Sequence, residues 1–298
     1  MNILNRMVKK LSGKSINRIR TEINQIGWQT HNQQIVQRQI SMNYQMLKNN
    51  KEKLPRFQDV GFRVYSQVDE DGLLLYIFSL IGFSNKILVD IACGVPYGAN
   101  STNLICNLGF TGLLVEGNAD SVEATKKFYA SHPDSCIFPP KQECLWVTAE
   151  NINSVITDNG ISGEIDLFSL DVDGVDYWLW KNLSVVRPRV VIAEAATYWG
   201  NEKSVTIPYN PKFDRFNIHP DYMGASLPAF IKLGRKKGYR LVACNRYGYN
   251  IIFIRDDIGT DVLPEISVDE CFYFLSVELK QKREKRLKSI INYEWVEV

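Results

Sequence analysis

Short apolar runs and helical stripes alternate along most of this chain. Runs at residues 87 to 91, 112 to 116, 145 to 148, 165 to 171 and 189 to 194 have the length and β-branched content of buried strands. Between them, stretches near 101 to 108, 119 to 130, 151 to 158 and 176 to 183 carry helical spacing. A further helix is predicted over Glu70 to Ile81, where Asp69, Glu70 and Asp71 put negative charge at its first turn. Strand and helix in strict alternation predict a parallel, doubly wound sheet. After the fifth strand comes a long irregular insertion, then a helix from about Gly224 to Lys237 and two strands, Arg240 to Cys244 and Asn250 to Arg255. Only Asn245 to Tyr249 separates that last pair, so they should form a hairpin and place one antiparallel strand in the sheet.

Composition bounds the domain organisation. A chain of 298 residues, 45% hydrophobic, can bury one large core with attachments. The pattern divides it into a basic helical N-terminal extension (1–56), an α/β domain (57–260) containing the insertion 195–223, and a helical, basic C-terminal tail (261–298). Net charge is +2, but residues 1–56 hold +9 and the remainder −7, which argues against a nucleic-acid groove in the α/β domain. The six cysteines form no C-x-x-C pair and read as buried thiols. With no apolar run long enough for a secretory signal or a membrane span, a cytoplasmic setting is expected.

The most informative stretch is ILVDIACGVPYGANSTNLICNLGFTGLLVEG, from Ile87 to Gly117. One strand closes on Asp90, a turn carries Gly94 and Gly98, and the next strand closes on Glu116. In open α/β sheets ligands sit beyond the carboxyl ends of the strands, so both carboxylates would face one crevice. An acid on the second strand suits the two hydroxyls of a ribose. The dinucleotide fingerprint is broken, since Ala92 stands at its first glycine and Pro96 intrudes. A turn without a phosphate cradle is closer to the form used for S-adenosylmethionine, whose positive end Asp90 would favour. A glycine turn after an apolar strand is also a common structural device.

Several motifs occur in order: SQVDEDG (Ser66 to Gly72), VDIACG (Val89 to Gly94), NSTNL (Asn100 to Leu104), GFTGLLVEGN (Gly109 to Asn118), EIDLFSLDVDGVDYWLW (Glu164 to Trp180) and RPRVVIAE (Arg187 to Glu194). In this order they resemble the FkbM-type S-adenosylmethionine-dependent methyltransferases, over about two thirds of the chain. The resemblance implies the Class I, Rossmann-like sheet of seven mostly parallel strands with a C-terminal antiparallel hairpin. It implies O-methylation of sugars, glycans or related natural products. By the same resemblance, Ser66 and Gln67 would close over the methionine carboxylate, and Asn100 and Gly117 would flank the cofactor. Residues 1–56 lie outside the resemblance, and Ala92 and Cys93 depart from its usual turn.

Each motif has a functional and a structural reading. Asp90 and Gly94 would place the methionine end of the cofactor, and Glu116 would accept from the ribose. Glu150 would read the adenine edge or else cap the helix near Asn151. Alternation along a strand points Asp171 and Asp173 to one side, and with Glu194 they form a hard-oxygen set suited to magnesium. Asp171 is thus the expected cofactor and catalytic residue, with Asp176 a turn or cap residue. The insertion reads as a substrate lid, with Tyr198, Trp199, Arg215 and Tyr222 facing an acceptor and His219 as candidate base. In the N-terminal extension, Ile19, Ile23, Ile26, Val36, Ile40, Tyr44 and Leu47 suggest a narrow apolar seam for oligomerisation or packing on the α/β domain. Arg6, Lys9, Lys10, Lys14, Arg18 and Arg20 would permit peripheral membrane contact. Lys280 to Lys288 reads as a solvated basic face. A nicotinamide-dependent oxidoreductase and a non-catalytic glycan-assembly scaffold are the two rival readings.

Overall fold

The computed structural model describes residues 32–201, 203–272 and 276–298. Residues 32–49 form helix α1. There follow α2 (Phe57–Val60), α3 (Glu70–Ile81), β1 (Ile87–Ile91), α4 (Thr102–Leu108), β2 (Thr111–Glu116), α5 (Ala119–Ser131), β3 (Lys141–Cys144), α6 (Ile152–Asp158), β4 (Gly163–Leu170), α7 (Asp176–Asn182) and β5 (Val186–Glu194). Beyond the insertion, which holds β6 (Val205–Thr206), come α8 (Leu227–Lys237), β7 (Tyr239–Cys244), β8 (Asn250–Arg255), α9 (Val268–Phe272), α10 (Val277–Ile290) and β9 (Val296–Glu297).

Seven strands make one sheet in the order β3-β2-β1-β4-β5-β8-β7. The first five pair in parallel, while β8 runs antiparallel to both β5 and β7. This is the expected Class I sheet with its C-terminal hairpin and N-terminal helical extension. Alternate residues go to opposite faces, as the period of two requires. Val89, Ile91, Val191, Ala193, Ile251 and Phe253 pack under α6, α7 and α8, while Leu88, Val190, Ile192, Ile252 and Ile254 pack under α3 and α4.

The third strand is not where the apolar run placed it. β3 is Lys141–Cys144, and the run at 145 to 148 is extended chain past the sheet, with Leu145 and Trp146 exposed. An edge strand is half solvated and needs backbone pairing more than apolar side chains. Lys141 to Cys144 supply that pairing against Leu113 to Glu116.

The N-terminal seam also differs. Residues 1–31, which hold Ile19, Ile23, Ile26 and the basic cluster from Arg6 to Arg20, lie outside the described residues. In α1 Val36 is exposed, and the docked face is largely polar. The Gln37 and Asn103 amides exchange hydrogen bonds at 2.9 and 3.0 Å, Ser41 meets Ser79, and Tyr44 packs edge-on to Tyr76. Those residues recur at three- and four-residue steps, so helical periodicity was present in a polar register. Among the described residues, no helix is long and apolar enough to cross a membrane.

Candidate active site

Two cavities open at the carboxyl edge of the sheet and share one wall. The first, about 450 Å³, lies over β1, β2 and β4 and is lined by Gly94, Glu116, Gly117, Trp146, Asp171 and Asp173, among others. Its size falls in the range of small-molecule sites, roughly 300–1,000 Å³. The second, about 960 Å³, lies beyond β5 beneath the insertion and α10, with Glu194, Tyr198, His219 and Tyr249 in its wall. Arg215 lines both.

The glycine turn builds the first cavity. Ala92 and Gly94 both take positive φ, +59° and +61°, which bends the chain sharply away from β1. The bend brings the Gly94 N–H to Glu116, which accepts at Oε2 over 2.9 Å and accepts the Asn118 N–H at Oε1 over 2.8 Å. Two amides thus fix a half-buried carboxylate while leaving lone pairs toward the cavity. Gly117 leaves room for the Trp146 ring, whose Nε1 donates to the Pro211 carbonyl, so the insertion helps hold this wall.

Asp90 does not reach the cavity surface. The residue is 3% exposed, and burial raises its pKa, while the neighbouring Ser101 and Ser169 pull it the other way. Asn100 donates to the same Ser169. These residues form a polar floor beneath the turn. Ser66 lies beside the turn, bridged to Gly98, and its hydroxyl accepts the Asp71 N–H. Gln67 reaches the second cavity instead. Glu150 is exposed and accepts from the Tyr209 hydroxyl, making neither a cavity contact nor a side-chain cap on α6, which begins at Ile152.

Asp171, Asp173 and Glu194 converge, with one oxygen of each within 4.8 Å of the others. Strand alternation is not the cause, because β4 ends at Leu170. Asp173 takes φ +56°, and the buried Asp176 carboxylate accepts the Val172 and Gly174 amides at 2.8 and 2.9 Å, which sets the turn. Arg215 pairs with Asp173 at 2.9 Å. Burial, then the neighbouring carboxylates Asp176 and Asp173, push Asp171 up to about 7. Glu194 is pushed well above the ordinary carboxylate range, by burial and then by Asp171. Burial and mutual repulsion thus favour the protonated form of both carboxyls. Glu194 Oε2 has no hydrogen-bond partner among the described residues. Asp171 and Asp173 line the first cavity and Glu194 the second, so the cluster is the partition between them.

The insertion is packed rather than open. Trp199 and Tyr222 are 7% and 6% exposed and meet Trp295 edge-on, and the Tyr222 hydroxyl donates to the Glu294 carbonyl. Their rings hold the C-terminal segment and are not free to stack on a sugar. Tyr198 borders the second cavity but spends its hydroxyl on the Asp221 and Met223 carbonyls. His219 borders it too, with Nδ1 accepting the Asp221 N–H at 3.1 Å.

Four contributors to these walls escape the sequence pattern. Trp146 sat inside a strand assignment. Tyr247 and Tyr249 lie on the hairpin between β7 and β8, and α10 was read as solvated, yet all three border the second cavity. The signal for α10 was there in Leu279, Lys282, Arg283, Arg286 and Ser289, which share one helical face.

No protein-family profile and no curated protein match the chain. Solved structures do. Magnesium protoporphyrin IX methyltransferase (ChlM) from Synechocystis PCC 6803 is 14% identical over 62% of this chain and 76% of that one, with a TM-score of 0.38. The N-terminal domain of EvdMO1 is 13% identical over 73% and 95%, with a TM-score of 0.40. A putative caffeoyl-CoA O-methyltransferase from Staphylococcus aureus is 11% identical over 70% and 88%, with a TM-score of 0.41. The FkbM-type resemblance is withdrawn: no family profile supports it, and what the chain itself shows is the general Rossmann-like strand order with a C-terminal hairpin. The motifs that suggested it are strand ends and turns that any sheet of this strand order places at its carboxyl edge, so they do not separate one subfamily from another.

Proposed function

We propose that this chain is an S-adenosylmethionine-dependent methyltransferase that modifies a hydroxyl of a sugar, glycan or related natural-product precursor. The observation that carries this reading is the partition: one carboxylate cluster stands between a cavity suited to a nucleoside and a larger cavity suited to an acceptor. In the first, Glu116 would accept from the ribose hydroxyls, Trp146 would face the adenine, and Gly94 would let the methionine end approach the backbone. Asp90, Ser101 and Ser169 would support that turn from below.

S-adenosylmethionine supplies an electrophilic methyl on a sulfonium. Methyl transfer breaks the C–S bond, forms an O–C bond and releases the hydroxyl proton, which needs an acceptor. The Asp171–Glu194 pair, once singly ionised, would take that proton from an acceptor hydroxyl held beside Glu194 in the second cavity. Arg215 would hold Asp173 in place. Convergence of three carboxylate oxygens also favours a second reading, in which Asp171, Asp173 and Glu194 hold a divalent cation. The unpartnered Glu194 Oε2 and the all-oxygen donor set fit magnesium.

Isothermal titration with S-adenosylhomocysteine and NAD tests the cofactor. Binding of the first and not the second is expected, with Glu116→Gln weakening it about tenfold. NAD binding alone overturns the proposal. Transfer of labelled methyl to a glycan panel tests the chemistry: Asp171→Asn should abolish turnover while retaining cofactor binding. Turnover abolished by chelation and restored by magnesium would select the metal reading; indifference to chelation would select the carboxylate pair acting alone.

A further inference from the structure

We propose that the acceptor carries a phosphoryl group, held at the end of the second cavity away from Glu194 by the basic face of α10. This deepens the methyltransferase reading and rests on it for the identity of the acceptor's other end. The cavity is chemically polarised. At the sheet end the wall holds the Glu194 carboxylate, one oxygen of which is buried with no hydrogen-bond partner among the described residues. At the other, α10 lines the wall with Lys282, Arg283, Lys285 and Arg286.

These cations are incompletely neutralised. Arg286 pairs with Asp221 at 2.7 Å, whereas Lys282 and Lys285 make no ion pair within 4 Å among the described residues. Arg283 packs its guanidinium 3.8 Å from the Phe272 ring, and its buried Nε has no hydrogen-bond partner among the described residues. The Asp221 and Glu194 carboxylates are the acids of this cavity, the first already paired with Arg286 and the second turned into the cluster with Asp171 and Asp173. A neutral sugar would leave this excess of positive charge without a counter-charge. A phosphate offers several strong acceptor oxygens and about two negative charges, which match several cations spread over successive turns of one helix.

The helix is placed for this task. Ile290 is fully buried and Leu287 packs on the core, each one turn beyond Arg286 and Arg283, so the side of α10 that carries these cations is anchored over the cavity. The insertion and the last strand reinforce that position through Trp295 and the pairing of β6 with β9.

The test uses the full chain saturated with S-adenosylhomocysteine. Glucose 1-phosphate, UDP-glucose, glucuronic acid and glucose are titrated calorimetrically, together with inorganic pyrophosphate as the bare anion. The phosphorylated probes should bind about tenfold or more tightly than glucose, and raised salt should weaken them. The Lys282→Ala, Lys285→Ala double variant changes two exposed side chains. It should lose about tenfold in affinity for the phosphorylated probes and pyrophosphate while binding S-adenosylhomocysteine unchanged. Equal binding of glucose and its phosphate, a glucuronate affinity matching the phosphates, or a double variant that binds pyrophosphate like the parent would each overturn the proposal. Failure of S-adenosylhomocysteine to bind, with lysine-dependent pyrophosphate binding intact, would overturn the methyltransferase reading and leave the anion subsite standing.

Discussion

Ala92 holds a backbone conformation that an L side chain rarely adopts, with φ at +59°. Left-handed geometry costs a non-glycine residue about 1–3 kcal/mol, while a glycine placed there would lose about 0.5–1 kcal/mol through its freer unfolded chain. Ala92→Gly should therefore stabilise the protein by roughly 1 kcal/mol, read as a higher thermal midpoint. A lower midpoint would show that the alanine methyl contributes packing that outweighs the strain. Asp171 is a second residue whose local state has a visible consequence. Its folded pKa is raised, so its contribution to stability is complete below the ordinary carboxylate range and is lost as pH climbs through about 7. Asp171→Asn removes that slope. Relative to the parent, the variant should gain stability at about pH 8 compared with about pH 5, on the order of 2 kcal/mol. Denaturant melts at the two pH values check the sign, and a parallel offset between them would reject the raised pKa.

Elements were legible where burial is symmetric and obscure where it is not. β1 and α3 match their expected limits, because a strand covered on both faces must be apolar and α3 starts at the expected acidic turn. β3 slipped because its partner supplies backbone bonds on one side only. α1 docks through Gln37 and Ser41, which pair with Asn103 and Ser79, beside Tyr44 of the expected seam on Tyr76, so polar residues break up its apolar stripe. Asp166 shows a polar residue carrying an element boundary. It is fully buried in β4, accepts the amides of Ser84, Asn85 and Lys86, and pairs with Arg189 at 3.1 Å. It thereby fixes the approach to β1 from one strand away. Asp166→Ala would strand three partly buried amides and the Arg189 guanidinium, so a loss of about 3 kcal/mol is expected in chemical denaturation. A loss below about 1 kcal/mol would mean that solvent reaches those amides once the carboxylate is gone.

At the scale of the whole molecule, the sheet supplies the first cavity from neighbouring sequence, whereas the second is assembled from segments far apart in the chain. Strand ends and the glycine turn made Gly94, Glu116, Asp171 and Glu194 readable, since each closes or follows a recognisable strand. The second cavity depends on residues 195–223 meeting 277–298, a pairing that no local pattern announces. Trp295 is central to that meeting, seated edge-on against both Trp199 and Tyr222 with its Nε1 donating to the Ile290 carbonyl. Trp295→Ala should cost about 2–3 kcal/mol, less than a fully buried tryptophan because this ring is only half-buried. The loss should be uneven. Hydrogen exchange should quicken in α10, β6 and β9 while β1, β2 and β4 stay protected, because the sheet does not rely on the tail for its pairing. S-adenosylhomocysteine affinity should stay within about twofold of the parent, whereas affinity for pyrophosphate should fall as α10 loosens. Uniform deprotection across the sheet would instead mean that the tail and the core fold as one cooperative unit.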